Sequence, residues 1–163
     1  MKKFTLLCFV IISTLLAVSV KADHPLSIFH GDWQGSGTTR GMESSISFTW
    51  KSGFDSRYTI LQLNNRMTSE EGVVIEFAGV AYYQVADEHL LSGIWIDSQG
   101  DILELNATLE KQRLVAIWGS ESTKMGRSIY QLRPDGKLEA IDFIRDEQGA
   151  WHEFSRTLLI RTK

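Results

Sequence analysis

The sequence predicts an all-β protein, folded as a single antiparallel up-and-down β-barrel of about ten strands. Apolar and polar residues alternate in short runs from residue 31 to residue 161, and turn-forming residues separate these runs at hairpin spacing. No stretch after residue 30 has the 3.6-residue period of an amphipathic helix. Because closing a meander removes its exposed edge strands, a barrel is favoured over an open sheet.

The first 22 residues are predicted to be a secretory signal peptide. Two lysines at the start, an apolar run from Phe4 to Val20 and small residues before Asp23 give the expected charge pattern and cleavage site. An uncleaved membrane anchor is the alternative, and the shortness of the apolar run disfavours it. We therefore expect one domain, residues 23–163, that is periplasmic or secreted and has no membrane span after cleavage.

Composition narrows the possible partners. Cys8, the only cysteine, lies within the predicted signal, so the mature domain is expected to have neither disulfides nor thiol chemistry. Loss of three lysines with the signal takes the formal net charge from −3 to −6. An acidic chain without basic runs is not expected to bind nucleic acid or anionic membrane surfaces. The composition does not specify an oligomeric state.

The first strand is expected to begin at Gly31, after a short turn over residues 25–30 that is suited to closing one barrel end. At strand period two, Trp33, Gly35 and Gly37 share one face. A large aromatic residue followed by two glycines suits a strand that plugs the barrel end and then bends or lets another backbone approach closely.

The later strands are placed by the same alternation. Ile46, Phe48 and Trp50 share one face of the segment 45–51, while Ser, Thr and Lys take the other, which is typical of a half-buried strand. Turns such as Pro134-Asp135-Gly136 separate the runs. Further strands are predicted at 57–67, 73–85, 89–96, 102–109, 113–119, 127–133, 137–145 and 151–161.

The Gly-x-Trp step that ends at Trp33, the chain-long meander and an arginine-bearing last strand resemble the calycin superfamily. That superfamily includes lipocalins, fatty-acid-binding proteins and nitrobindins. Segments 93–100 and 142–151 most resemble a bacterial lipocalin-like family of unknown function. The resemblance implies a barrel in which the first-strand tryptophan closes one end and a last-strand arginine covers it. Here Trp33 and either Arg156 or Arg161 would take those roles, through cation–π packing.

We predict that a small apolar ligand binds among aromatic side chains inside the barrel. Aromatic residues occur on seven predicted strands, and one residue per strand at a shared level converges on the lumen of a barrel. A mostly apolar cavity with a few polar groups is what small hydrophobic ligands need. A solid core filled by the same rings is the alternative. The predicted lumen residues are Trp50, Tyr58, Tyr83, Trp95, Trp118 and Tyr130.

A histidine on the last strand suggests an alternative function. Nitrobindins hold haem iron through such a histidine, and the resemblance would give His152 that role if its strand face, shared with Phe154 and Leu158, pointed inward. An exposed histidine at the start of a strand is the simpler interpretation. We predict no metal, haem or other cofactor, because no spacing of His, Asp and Glu resembles a zinc or calcium site and His152 alone is placed where it could ligate haem iron.

Three mid-strand carboxylates are candidates for buried charge. Glu76 and Glu104 are expected to face outward beside lysine or arginine. Asp142 interrupts an apolar face and is therefore expected to point inward, paired with Arg127 or Arg156. Because an unpaired buried carboxylate is costly, a structural ion pair is favoured over a group that anchors a ligand.

No motif in the sequence predicts catalysis. Gly35-Ser36-Gly37 is neither a nucleophile elbow nor a phosphate loop, because no helix follows it. We therefore predict a protein that is not an enzyme. A packed barrel that acts through a protein partner is the third possibility, after ligand binding and haem binding.

Overall fold

Ten antiparallel strands follow one short 3-10 helix in the computed structural model, which describes residues 24–86 and 89–163. The predicted signal peptide lies outside the described residues. The elements are η1 (Pro25–Phe29), β1 (Gly31–Thr39), β2 (Met42–Gly53), β3 (Tyr58–Thr68), β4 (Val74–Val85), β5 (Leu90–Asp97), β6 (Ile102–Glu110), β7 (Arg113–Gly119), β8 (Met125–Leu132), β9 (Leu138–Arg145) and β10 (Trp151–Arg161).

Each strand pairs with the next along the chain, and β1 pairs with β10, so the sheet forms a closed barrel. The predicted fold class is confirmed. Closure depends on Gly35 and Gly37 of β1, because a Cβ atom at either position would collide with the main chain of β10. Glycine thus permits the close backbone approach that joins the first strand to the last.

One end of the barrel is filled by large side chains beneath η1. Trp50 stacks on Tyr83 with ring centroids 5.9 Å apart, and it contacts Phe29 of η1 at 5.3 Å and Tyr130 at 5.2 Å. Leu26 of η1 is also fully buried. We call this half of the interior the packed half, and its aromatic cluster resembles a solid protein core.

His24 holds the start of η1 in place. Its ring is buried, and Nδ1 accepts a hydrogen bond from the Leu26 backbone N–H at 3.3 Å and contacts the Thr59 hydroxyl at 3.0 Å. Burial lowers the pKa of His24, and the neighbouring His30 acts in the same direction.

Two mid-strand carboxylates lie where the sequence places them. Glu76 is exposed and forms an ion pair with Arg66 at 3.2 Å. Glu104 is also exposed. Among the described residues, no helix has the length and apolar character needed to cross a membrane.

Candidate ligand-binding cavity

The second half of the barrel interior is not filled. A cavity of about 220 Å³ lies between the packed half and the end of the barrel that carries the β1–β2, β3–β4, β5–β6, β7–β8 and β9–β10 hairpins. Its wall is mainly apolar and includes Leu63, Phe77, Trp95, Leu103, Trp118 and Phe154. The solid-core interpretation of the aromatic residues therefore holds for the packed half, and the open-lumen interpretation holds for the other half.

The volume limits what the cavity can enclose. A cavity of about 150 Å³ accommodates benzene, so on the same scale this one encloses a molecule of about nine non-hydrogen atoms. Arg40, Met42, Gln99 and Lys124 also line the site. A longer ligand would extend past them through the open end.

Two tryptophans of the wall lie against glycines of neighbouring strands. A Cβ atom at Gly79 would collide with the Trp95 ring, and one at Gly126 would collide with the Trp118 ring. The absence of a side chain at each glycine therefore leaves the space that the aromatic ring occupies. The indole Nε1 of Trp95 donates to the Asp97 carboxylate at 3.0 Å, so this ring is held at both ends.

Asp142 lies at the polar side of the cavity. Ser128 donates a hydrogen bond to its Oδ1 at 2.6 Å, and Ser155 forms a second hydrogen bond with the same carboxyl group. Trp118 Nε1 donates to the Ser128 hydroxyl at 3.2 Å, so the aromatic wall and the carboxyl group are joined. Part of the Asp142 surface is accessible because it faces the cavity, while protein encloses the rest.

A chain of polar side chains continues from Ser155 around the barrel. The hydroxyls of Ser155 and Thr39 are 3.1 Å apart, and Asn65 Nδ2 donates to Thr39 Oγ1 at 3.3 Å. Ser44 donates to Asn65 Oδ1 at 2.6 Å, which fixes the orientation of the amide. These buried polar groups thus form hydrogen bonds with one another, as is usual for polar groups inside a protein.

Burial raises the pKa of Asp142 to about 6, and the hydrogen bonds from Ser128 and Ser155 act in the opposite direction. Burial is also the main cause that raises the pKa values of Tyr83 and Tyr130, to which the Asp142 charge adds. Both phenols are therefore neutral at physiological pH. At pH 7 the Asp142 carboxyl group is therefore mostly ionised.

The structure places the six predicted lumen residues in three environments. Trp95, Trp118 and Tyr130 line the cavity. Trp50 and Tyr83 lie in the packed half. The lumen prediction is wrong for the sixth, Tyr58, which lies outside, packed against Phe54 and hydrogen-bonded to Gln84.

The ring–guanidinium contact expected at Trp33 is made by Arg161. The guanidinium carbon lies 4.4 Å from the ring centroid, and the same group donates to the carbonyl oxygens of His30 at 2.7 Å and Ile28 at 3.0 Å. Arg156 is not part of this contact, because it faces outward and pairs with Glu153 and Glu139.

His152 does not line the cavity. It is exposed at the start of β10 and bonds to Asp146 in the preceding turn. A register shift between Glu153 and Ser155 separates it from the part of β10 that faces inward. Within the described part of the chain, no group of three His, Cys, Asp or Glu residues is arranged to hold a metal ion.

The predicted ion pair of Asp142 is also wrong, although its inward position is right. The guanidinium of Arg127 lies between the rings of Phe143 and Trp151, at 4.5 and 4.8 Å from their centroids. Serines replace arginine as the partners of the carboxyl group. Ser128 and Ser155 were not predicted from the sequence. The signal that could have identified them is a small polar residue in phase with Tyr130 or Leu159 on an otherwise buried strand face.

The barrel is similar to a solved structure described as an S-type phycobiliprotein lyase, CPES, from Guillardia theta. The two share 12% sequence identity over 83% of this chain and 89% of that chain, with a TM-score of 0.56. No family model matches the chain, and no curated protein matches it. A likeness at this identity concerns the fold alone, so the chain has a calycin-like barrel, in agreement with the resemblance seen in the sequence.

The comparison corrects the prediction that the protein is not an enzyme. That prediction rested on the absence of catalytic motifs and on the resemblance to binding proteins. A solved structure similar to this chain is described as a lyase. A barrel of this kind therefore gives no ground for excluding catalysis.

Proposed function

We propose that this protein is an exported binding protein that holds a small, largely apolar molecule in the open half of its barrel. The observation that carries the proposal is the division of the interior, in which one half is solid and the other encloses about 220 Å³ behind aromatic walls. A cavity with mostly apolar walls and a few polar groups is suited to small molecules. The charged start and apolar run of residues 1–22 support export.

We expect 2-phenylethanol, a probe of matching size, to bind to the purified domain and to change its tryptophan fluorescence. Trp95 and Trp118 line the cavity, while the remaining three of the five tryptophans do not. A ligand at one hundred times its dissociation constant would add about 2.7 kcal/mol to the free energy of unfolding. Fluorescence titration and thermal unfolding measure the two effects.

A pair of leucine variants tests where the probe binds. Leu63→Trp places a large ring in the cavity, whereas Leu158→Trp places the same ring on the outer face of β10, where Leu158 is 39% exposed. Calorimetric titration should detect binding by Leu158→Trp and none by Leu63→Trp. Equal binding by the two variants, or no binding by the wild type, would contradict the proposal.

Catalysis on the bound molecule is the second function that this site favours. Asp142 is the observation behind it, because a buried carboxyl group with a pKa of about 6 can both give and take a proton near neutral pH. If Asp142 transfers a proton to or from the bound molecule, the Asp142→Asn variant should retain unconverted substrate. Wild-type protein produced in the same cells should then retain a different molecule. Chromatography and mass spectrometry of solvent extracts would show this, and identical extracts would argue against catalysis.

A further inference from the structure

We propose that the ligand carries a protonated amine on an apolar body, and that the amine binds the carboxylate of Asp142. This inference rests on the binding function proposed above and specifies the chemical class of its ligand. It follows from the direction of the hydrogen bonds in the cavity, from the absence of a cationic partner for the carboxylate and from the aromatic walls.

The hydrogen bonds on one side of Asp142 are directed toward it. The Ser128 hydroxyl accepts the N–H of Trp118, whose indole nitrogen can only donate. The Ser128 hydroxyl therefore donates its own hydrogen bond to Asp142. This arrangement supplies the carboxylate with a donor and leaves Ser128 with no hydrogen for a ligand.

The hydrogen bonds on the other side can be directed in the same way. The oxygen of the Asn65 amide accepts from Ser44, so its nitrogen donates to Thr39. Thr39 is then free to donate to Ser155, and Ser155 to Asp142. The site consequently offers a ligand the remaining lone pairs of a carboxylate, which accepts hydrogen bonds and has up to about four acceptor positions.

The carboxylate also lacks a counter-ion. Among the described residues, no lysine, arginine or histidine forms an ion pair with Asp142, and both arginines expected there point elsewhere. Lys124 at the mouth is 2.7 Å from Asp101, so its charge is already compensated. A buried ionised group without a cation is costly, and a ligand cation would remove that cost.

The aromatic walls suit the same ligand. Trp118 and Trp95 line the cavity with Tyr130, and the faces of such rings attract cations as well as apolar groups. Arg40 already lies over Phe154, 5.6 Å from its ring centroid, and Lys124 lies 6.0 Å from that of Trp118, which illustrates this attraction at the mouth. An arylalkylamine of about nine non-hydrogen atoms satisfies both the volume and the charge.

The test compares three probes of almost equal size: 2-phenylethylamine, 2-phenylethanol and phenylacetate, which are cationic, neutral and anionic at pH 7.5. Calorimetric titrations use the wild type, Asp142→Asn and Glu104→Gln. Glu104 lies on the outer face of β6, so Glu104→Gln removes one negative charge without changing the cavity.

The wild type and Glu104→Gln should bind the amine at least about tenfold more tightly than the alcohol, because hydrogen bonds between ionised groups are the strong ones. Asp142→Asn should lose this preference, so that its affinities for the amine and the alcohol lie within about threefold of each other. Equal affinities for amine and alcohol in the wild type, or a preference for phenylacetate, would overturn the amine proposal and leave the binding function standing. Failure of all three probes to bind would overturn both.

Discussion

Replacing Trp33 by alanine should lower the free energy of unfolding by about 3–5 kcal/mol, the usual cost of truncating a large buried aromatic residue. The Trp33 side chain is 1% exposed, and its Nε1 donates to the Phe29 carbonyl oxygen at 2.8 Å. Its ring also lies under the Arg161 guanidinium, which holds the backbone of η1 and the residue after it. The substitution therefore removes core volume and loosens the cover of the packed half.

Trp151→Ala is the matched control, because Trp151 packs against Arg127 outside the packed core and is only half-buried. Chemical denaturation followed by circular dichroism measures the unfolding free energies of both variants. The loss for Trp33→Ala should be clearly the larger. A Trp33→Ala protein within a few tenths of a kcal/mol of the wild type would show that Trp33 does not close the barrel.

Strand periodicity was sufficient to predict the barrel. Runs such as Ile46, Phe48 and Trp50 leave one possible inward face, and the turns between runs are too short for any connection but a hairpin. Gly35 and Gly37 of β1 pointed to the close approach that joins this strand to β10. Local sequence therefore determines the elements, and the need to cover sheet edges determines closure.

Sequence periodicity could not determine the site, because the site depends on register between strands. Around Tyr58 both faces of β3 carry apolar residues, so alternation does not say which face is inside. Near His152 a register shift in β10 breaks the alternation itself. Asp142 was rightly placed inside, but its partners Ser128 and Ser155 are set by pairing across β8 and β10, which a single sequence does not show.

Asp142 should reduce the stability of the protein at neutral pH. Its pKa of about 6 in the folded state lies above the value of about 3.9 in an unfolded chain. Between these pH values the folded state binds more protons than the unfolded state, so the free energy of unfolding falls as the pH rises through this interval. The difference of about two pKa units corresponds to a loss of about 3 kcal/mol, complete above the folded-state pKa.

Asp142→Asn should therefore be more stable than the wild type at pH 7.5, by up to about 3 kcal/mol, with the difference shrinking toward zero near pH 4. The variant keeps the Ser128 hydrogen bond, and the Ser155 hydroxyl can rotate to accept from the new amide. Urea denaturation of both proteins from pH 4 to pH 8 measures the difference, with Glu104→Gln as a control that should follow the wild type. If the unfolding free energies of the wild type and Asp142→Asn changed in parallel across this pH range, ionisation of Asp142 would have no effect on stability. A loss of stability that appears only when Asp142 is ionised is what we expect of a binding site for a cation. The protein provides no cationic partner for the carboxylate, and a bound cation would supply one.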